Sequence, residues 1–315
     1  MVHYNNQNSL HQIFTLKGTV IRDIFPQILL YICVSTVVTV IHYYYAAIKM
    51  NQTPWVIVGG SLGLLLVFRT NTAYDRYWEG RKLFGTIGAC SRNLAVSFLC
   101  YWDSEGKKTD QEQLKFLHLL IAFPKIAKGH LRDEKNLSEI KELLNVCSEK
   151  EKEMLEQSMH LPISIVFLLK TILSKGLKTG RIHPNAIINM EADLNNLLTA
   201  VGGCDRIKTT PIPFAYFAHI KILLLIFCGT LPLGLVDSLG WFTVLATTFI
   251  SFAFIGIEAI GIEAIGIEIE DPFGQDPNDL PLEGICIGIE THLLNLYNQN
   301  VLFESMDMNY DKKII

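Results

Sequence analysis

Apolar residues are concentrated in four long runs, and most polar residues lie between them. The first run, residues 24–47, carries no Asp, Glu, Lys or Arg. At about 1.5 Å per residue it exceeds the ~30 Å hydrocarbon layer of a bilayer, so the pattern predicts a membrane-spanning helix. The run is too long, and is preceded by too many polar residues, for the apolar core of a cleaved signal peptide.

The remaining runs cover residues 55–68, 213–236 and 241–257. The run at 55–68 reaches only about 21 Å as a helix, so it is too short to cross lipid unless other protein surrounds its flanks. His219 and Lys221 interrupt the run at 213–236. We therefore predict an all-α protein with four transmembrane helices and a cytoplasmic helical region.

The basic residues predict an orientation, because Lys and Arg near the ends of spans favour the cytoplasmic side. They precede the first run and follow the second, and none separates the third from the fourth. We therefore expect a multi-pass protein with both termini in the cytoplasm. The predicted parts are an N-terminal segment (1–23), the first two spans with the cytoplasmic extension of the second (24–101), a cytoplasmic helical region (102–212), the third and fourth spans (213–257), an acidic helix and turn region (258–302) and a tail (303–315).

The cytoplasmic region has apolar residues at helical spacing, which predicts packed helices. The apolar stretches cover residues 114–123, 154–173 and 187–201. We expect three prolines to separate these helices, since proline ends or begins helices: Pro124, Pro162 and Pro184.

Composition excludes several classes of function. The 315 residues carry a net charge of −4, and half of them are apolar, so neither a disordered chain nor a nucleic-acid partner is expected. Seven cysteines without a CxxC pair argue against a disulfide framework or a zinc site, and favour reduced thiols facing the cytosol. The sequence has no nucleotide-binding loop, no GxSxG, no HExxH and no Cys/His cluster, so we predict neither an enzyme nor a cofactor.

The second apolar run continues without a turn residue into the polar stretch FRTNTAYDRYWEGR. One helix is therefore expected to extend from the membrane into the cytoplasm. Gly60, Leu64 and Phe68 are four residues apart and share one face of that helix, and such a stripe can line a narrow hydrophobic passage. The alternative is close helix packing through Gly59, Gly60 and Gly63, because small residues let helices approach.

A turn rich in Asp and Pro, DPFGQDPNDLP, begins at Asp271. Its carboxylates are ligands of the kind that hard cations prefer, but the EF-hand spacing is absent. An Asx- and Pro-rich turn accounts for the same residues. We therefore predict no metal site, and the candidate ligands for one are Asp271, Asp276, Asn278 and Asp279.

A repeat of period five, GIEAI, places glutamates at Glu258, Glu263 and Glu268. Five residues advance an α-helix about 140° beyond a full turn, so these carboxylates cannot share one face. The repeat is better explained by tandem expansion of one short unit than by a catalytic carboxylate pair.

These motifs, in this order, resemble the bestrophin family in its bacterial type. The resemblance rests on FRTNTAYDRYWEGRKLFG (68–85), RIKTTPIPFAYFAHIK (206–221) and IEIEDPFGQDPNDLPLE (267–283), and it covers roughly residues 10–300. It implies a homopentamer in the cell (inner) membrane, with one ion pore on the symmetry axis lined by five copies of the second span. The lipid bilayer and monovalent ions are the implied partners.

The resemblance also implies positions for the pore constrictions. The hydrophobic neck of the family would fall on Gly60, Leu64 and Phe68, where Gly60 departs from the bulky residue of the family. A second constriction, the cytoplasmic aperture, would fall near Ile187, with Ile188 as a competitor.

Compared with the acidic calcium clasp of animal bestrophins, Gln275, Pro277 and Asn278 replace acids here, which leaves Asp276 and Asp279 as the metal candidates. We therefore do not expect calcium gating.

The predicted function is passive conduction of monovalent ions through a central pentameric pore. Cation conduction (Na⁺ or K⁺) is slightly favoured, because characterised bacterial relatives look like cation channels and the C-terminal third is acidic. A chloride or other anion channel of the animal bestrophin kind is the alternative. A carrier and a non-conducting membrane scaffold are the further alternatives.

Overall fold

The computed structural model describes residues 21–104, 110–134, 137–260, 271–276 and 279–311. Every regular element in these ranges is helical, which confirms the all-α prediction. The α-helices are α1 (Ile21–Tyr44), α2 (Thr53–Tyr101), α3 (Gln111–Leu131), α4 (Glu149–Gln157), α5 (Leu161–Lys178), α6 (Pro184–Thr209), α7 (Phe214–Leu239), α8 (Phe242–Ile260) and α9 (Leu282–Asp311). Two short 3₁₀-helices, Leu137–Ile140 and Leu143–Val146, lie between α3 and α4. The repeat units at Glu263 and Glu268 lie outside the described residues.

The chain forms two compact units. The first contains residues 1–78 and 210–279, and therefore α1, the start of α2, α7 and α8. The second contains residues 79–209 and 280–315, and therefore the rest of α2, α3 to α6 and α9. Helix α2 has 49 residues and passes from the apolar run into the polar motif without a break, as the missing turn residue predicts.

The first unit buries apolar residues contributed by each of its helices and also exposes many. Its core includes Ile28 of α1, Leu66 of α2, Phe227 of α7 and Ile255 of α8. Large apolar side chains also cover the outside of three helices: Phe25, Leu29, Leu30 and Val37 on α1, Ile222, Leu225 and Ile226 on α7, and Leu245, Phe249 and Phe252 on α8. A surface of this kind is typical of a protein whose outer face meets lipid or other chains.

Three described helices are long and apolar enough to cross a membrane by length and composition. They are residues Ile24–Tyr44, helix α2 and helix α7, while the fourth apolar helix, Phe242–Ile257, is shorter. Each of the four predicted runs therefore lies mainly within a helix, and the number of spans stays a prediction.

The second unit corrects one prediction about the prolines. Pro162 and Pro184 begin α5 and α6, where a missing N–H costs no hydrogen bond. Pro124, however, lies inside α3 and does not end it. Buried neighbours such as Phe123 and Ile126 show that packing surrounds this part of α3, and packing offsets the lost hydrogen bond.

The apolar stretch 154–173 is divided between two helices close to Pro162, as the position of that proline predicts. Helix α4 ends at Gln157, and α5 starts at Leu161 after a three-residue connection. Helix α4 begins with a capping box between Ser148 and Glu151, in which the Glu151 carboxylate accepts the Ser148 N–H at 2.8 Å.

A buried polar cluster anchors the start of α3 in the second unit. The Asp110 carboxylate accepts hydrogen bonds from the Trp102 indole at 2.7 Å and from the Glu112 N–H at 2.9 Å, and it pairs with Arg181. The Arg181 guanidinium also lies 4.4 Å above the Trp102 ring. Burial raises the pKa of Asp110, but these hydrogen bonds and the Arg181 charge outweigh burial and hold that pKa below its ordinary value. Asp110 is therefore charged at neutral pH and joins three segments of the unit.

Gly234 of α7 provides a test of packing in the first unit. A Cβ atom at this position would lie 2.6 Å from the Trp55 ring, and Trp55 is held by a hydrogen bond from its Nε1 to Thr230 at 3.1 Å. We expect Gly234→Ala to displace the ring and to lower the free energy of unfolding by about 1–3 kcal/mol. Gly256→Ala is the control, because nothing lies within 4 Å of its Cβ position. Thermal unfolding of the purified protein in detergent measures both, and equal melting temperatures would contradict this packing.

Candidate functional site

The start of α2 has one face buried in the first unit and the opposite face exposed. Leu62 and Leu66 are fully buried, whereas Leu64 and Phe68 each expose 56% of their surface. The helical period explains the difference, since residues four apart share a face and residues two apart do not. The predicted stripe of Gly60, Leu64 and Phe68 therefore lies on the side of α2 that faces away from its own unit.

The glycines of α2 have different surroundings. A Cβ atom on Gly59 would lie 3.0 Å from the Phe227 ring, and one on Gly63 would lie 4.0 Å from Phe254. These two glycines allow close packing of α2 in the first unit, as the packing alternative predicts. Gly60 differs, because no atom lies within 4 Å of its Cβ position. Gly60 is thus part of the exposed stripe and is not a packing contact.

An apolar groove borders the stripe in the first unit. It has a volume of about 320 Å³ and is lined by Trp55, Gly59 and Gly60 of α2 together with Phe227 of α7 and Phe254 of α8. Apolar side chains also flank the stripe on α2, including the exposed residues Val56, Ile57 and Val67. A continuous exposed apolar surface of this kind marks a face that contacts lipid, another chain or a narrow hydrophobic passage.

Charged residues of α2 beyond Phe68 are divided between its two sides. Arg69 is buried, and its guanidinium lies 5.1 Å from the centre of the Phe217 ring. Arg76 donates a hydrogen bond to the Thr210 carbonyl at 2.7 Å. Asp75 is exposed, and it lies seven residues, or two helical turns, after Phe68 on the same face. Asp75 is therefore the first charged side chain that follows the stripe on that face.

The predicted cytoplasmic aperture lies in the first turn of α6, in the second unit. Ile187 is partly buried there, whereas its neighbour Ile188 exposes 67% of its surface. A constriction needs a side chain that projects from the surface of its chain, so the exposure favours Ile188 over Ile187. Both residues stay predictions for the aperture.

The two candidate metal ligands of the Asp-rich turn serve the turn itself. The buried Asp279 carboxylate accepts a hydrogen bond from the Asp276 N–H at 2.7 Å, and Asp276 is exposed. The Asp271 carboxylate accepts a longer hydrogen bond from the Phe273 N–H, at 3.4 Å. These contacts favour an Asx-type turn over a cation site. Residues 277 and 278 of this turn lie outside the described residues.

Three residues that the sequence pattern does not connect lie together in the second unit. His130, His160 and Asp205 each place one potential ligand atom within 4.8 Å of the others. In the part of the chain that the structure describes, these three side chains form a group of His and Asp residues that could share one ion. They are 30 and 45 residues apart, so no local spacing in the sequence indicates them.

Comparisons with known proteins agree on one family. The sequence profile described as bacterial/fungal bestrophin protein matches residues 1–295. A voltage-dependent anion channel-forming protein of Nostoc sp. is 37% identical over 295 residues, covering 94% of both chains. A protein of the same description from Synechocystis sp. is 35% identical over 280 residues, covering 89% of both. The crystal structure of a mutant bacterial bestrophin homologue from Klebsiella pneumoniae has a TM-score of 0.78 at 28% identity, and the match covers 87% of this chain and 98% of that one.

The contrast between Gly59 and Gly60 is testable. We expect Gly59→Leu to lower the free energy of unfolding by about 1–3 kcal/mol, because the new side chain overlaps the Phe227 ring. Gly60→Leu is the matched control, which should fold at least as stably as the wild type since a helical glycine is itself unfavourable. Thermal unfolding in detergent measures both. Equal destabilisation by the two substitutions would show that Gly60 is also a packing position.

Proposed function

The chain belongs to the bacterial and fungal bestrophin family, and we propose that it forms a homopentameric membrane channel for monovalent ions. The family predicted from the three sequence motifs is therefore confirmed, and with it the expectation that the chain is not an enzyme. The relatives named above are described as channel-forming proteins, which supports the same function for this chain.

The observation that carries the proposal is the exposed apolar stripe of α2. In a homopentamer, five copies of Gly60, Leu64 and Phe68 would face one axis and form a hydrophobic neck. Helix α2 would then contact the pore and neighbouring helices instead of lipid, so an apolar run of only 14 residues suffices. Hydrophobic rings of this kind can close a channel by excluding water, with no need for a charged gate.

We further propose that the chain crosses the cell (inner) membrane four times. Both termini and the second unit would then lie on its cytoplasmic side. Helix α8 has 19 residues and measures about 28 Å, close to the hydrocarbon thickness. The exposed apolar side chains of α1, α7 and α8 suit contact with lipid. The second unit carries ion pairs such as Lys115–Glu151 at 2.7 Å, and charged groups of this kind are costly within a bilayer.

Asp75 supports cation conduction. The neck residues carry no charge, so the neck itself does not select between cations and anions. Five copies of Asp75, two helical turns beyond Phe68, would place a ring of carboxylates on the pore side of α2, and acidic rings favour cations. Anion conduction is the second candidate, because the relatives from Nostoc and Synechocystis are named anion channel-forming proteins.

Phe68→Ala tests the neck. We expect it to raise ion flux through reconstituted liposomes several-fold, because removing five rings widens the narrowest hydrophobic position and eases wetting. Leu225→Ala is the control, since Leu225 is an equally exposed apolar side chain on α7, which we assign to the lipid face. Flux that Phe68→Ala leaves at the wild-type level would exclude Phe68 from the neck.

Asp75→Asn tests selectivity. We expect the wild-type reversal potential across a salt gradient to have the sign of cation conduction, and Asp75→Asn to shift it toward the anion value. Glu156→Gln, which neutralises an exposed acid of α4, should leave it unchanged. A wild-type reversal potential with the sign of anion conduction would overturn the cation proposal and favour the second candidate.

A further inference from the structure

Three helices of the second unit bring two imidazoles to one carboxylate. His130 lies in the last turn of α3, His160 directly precedes α5, and Asp205 lies near the end of α6. His130 Nε2 is 3.0 Å from one Asp205 oxygen, and His160 Nε2 is 3.6 Å from the other. The two imidazole rings lie side by side, with 4.3 Å between their centres.

We propose that His130, His160 and Asp205 form a binding site for one divalent transition-metal ion of the zinc type. Two imidazoles and a carboxylate are a common ligand set for zinc, whereas calcium and magnesium prefer oxygen ligands alone. Bonds of about 2.0–2.1 Å in tetrahedral geometry place neighbouring ligand atoms roughly 3.4 Å apart. The three candidate ligand atoms lie within 4.8 Å of one another, so small side-chain movements would bring them to this spacing.

The His160 side chain favours metal binding over a simple hydrogen-bonded cluster. Its Nε2 is too far from Asp205 for a hydrogen bond, and its Nδ1 is buried without a hydrogen-bond partner in the described part of the chain. The nitrogen that faces Asp205 is Nε2, and at 3.6 Å it makes no hydrogen bond to that carboxylate. Coordination of an ion between them would connect this nitrogen and the carboxylate.

The surroundings leave the three ligands available to an ion. Their side chains are between 25% and 34% exposed, so an ion can enter from solvent and keep a water as its fourth ligand. The exposed acid Asp133, three residues after His130, is bound to Lys208 at 2.7 Å. This contact with Lys208 lowers the pKa of the Asp133 carboxyl and balances its charge. The site therefore presents two imidazole nitrogens and one carboxylate group to a divalent ion.

Zinc binding to the full-length protein tests the site. We expect the chelator-treated wild type in detergent to bind one additional Zn²⁺ per chain compared with His130→Gln or His160→Gln, measured by titration calorimetry and by metal analysis. Zinc should also raise the melting temperature of the wild type more than that of either variant, because it binds the folded state. Calcium at the same concentration should have no such effect.

His183→Gln is the matched control. His183 lies in the same unit, and its Nδ1 accepts a hydrogen bond from the Asn185 N–H at 3.2 Å outside the cluster. This variant should bind zinc like the wild type. Exposed thiols such as those of Cys33 and Cys100 are unchanged in every variant, so any zinc that they bind contributes equally to each measurement.

Asp205→Asn keeps the shape of the side chain and provides a second variant if either glutamine variant fails to fold. Equal zinc stoichiometry in the wild type and in the cluster variants would overturn the proposal. So would a lower melting temperature of the variants combined with no zinc-dependent stabilisation of the wild type, since that result assigns the cluster to hydrogen bonding alone. Binding is measured without ion flux, so the result is independent of the proposed channel function.

Discussion

Helix α2 has to be apolar on two opposite faces for two different reasons, and the fold and the proposed function both depend on that constraint. Leu62 and Leu66 on one face are buried with α7 and α8, while Leu64 and Phe68 on the other are exposed. A helix in a water-soluble protein covers one apolar face and leaves the other polar. Because the outer face of α2 is apolar as well, it requires a second environment, and the proposed pore between identical subunits would supply one.

The helices that local sequence determines could be predicted, and those that depend on distant contacts could not. The continuity of α2 follows from the lack of a turn residue after Phe68, and the starts of α5 and α6 follow from Pro162 and Pro184. Pro124 was expected to end α3 but lies inside it, because residues from other segments bury this part of the helix. Sequence pattern gives the position of a proline, whereas packing decides whether a helix continues through it.

The candidate sites show the same division. The helical period alone places Gly60, Leu64 and Phe68 on one face, and extending it by two turns would have found Asp75. It cannot show that Gly59 contacts a neighbouring helix while Gly60 contacts none, because that difference depends on where Phe227 lies. His130, His160 and Asp205 come from three separate segments and meet only through tertiary packing, so no spacing rule could have connected them.

Because Gly60 has no side chain, it shortens the part of the proposed pore in which apolar side chains would surround a conducted ion. Side chains at three successive turns would force an ion to shed part of its hydration shell over about 12 Å, whereas Leu64 and Phe68 alone span about 6 Å. The free-energy barrier for an ion in a low-dielectric constriction rises with the length of that constriction. In the proposed assembly, this chain would therefore form a funnel-shaped entrance in which dehydration is confined to a single helical turn.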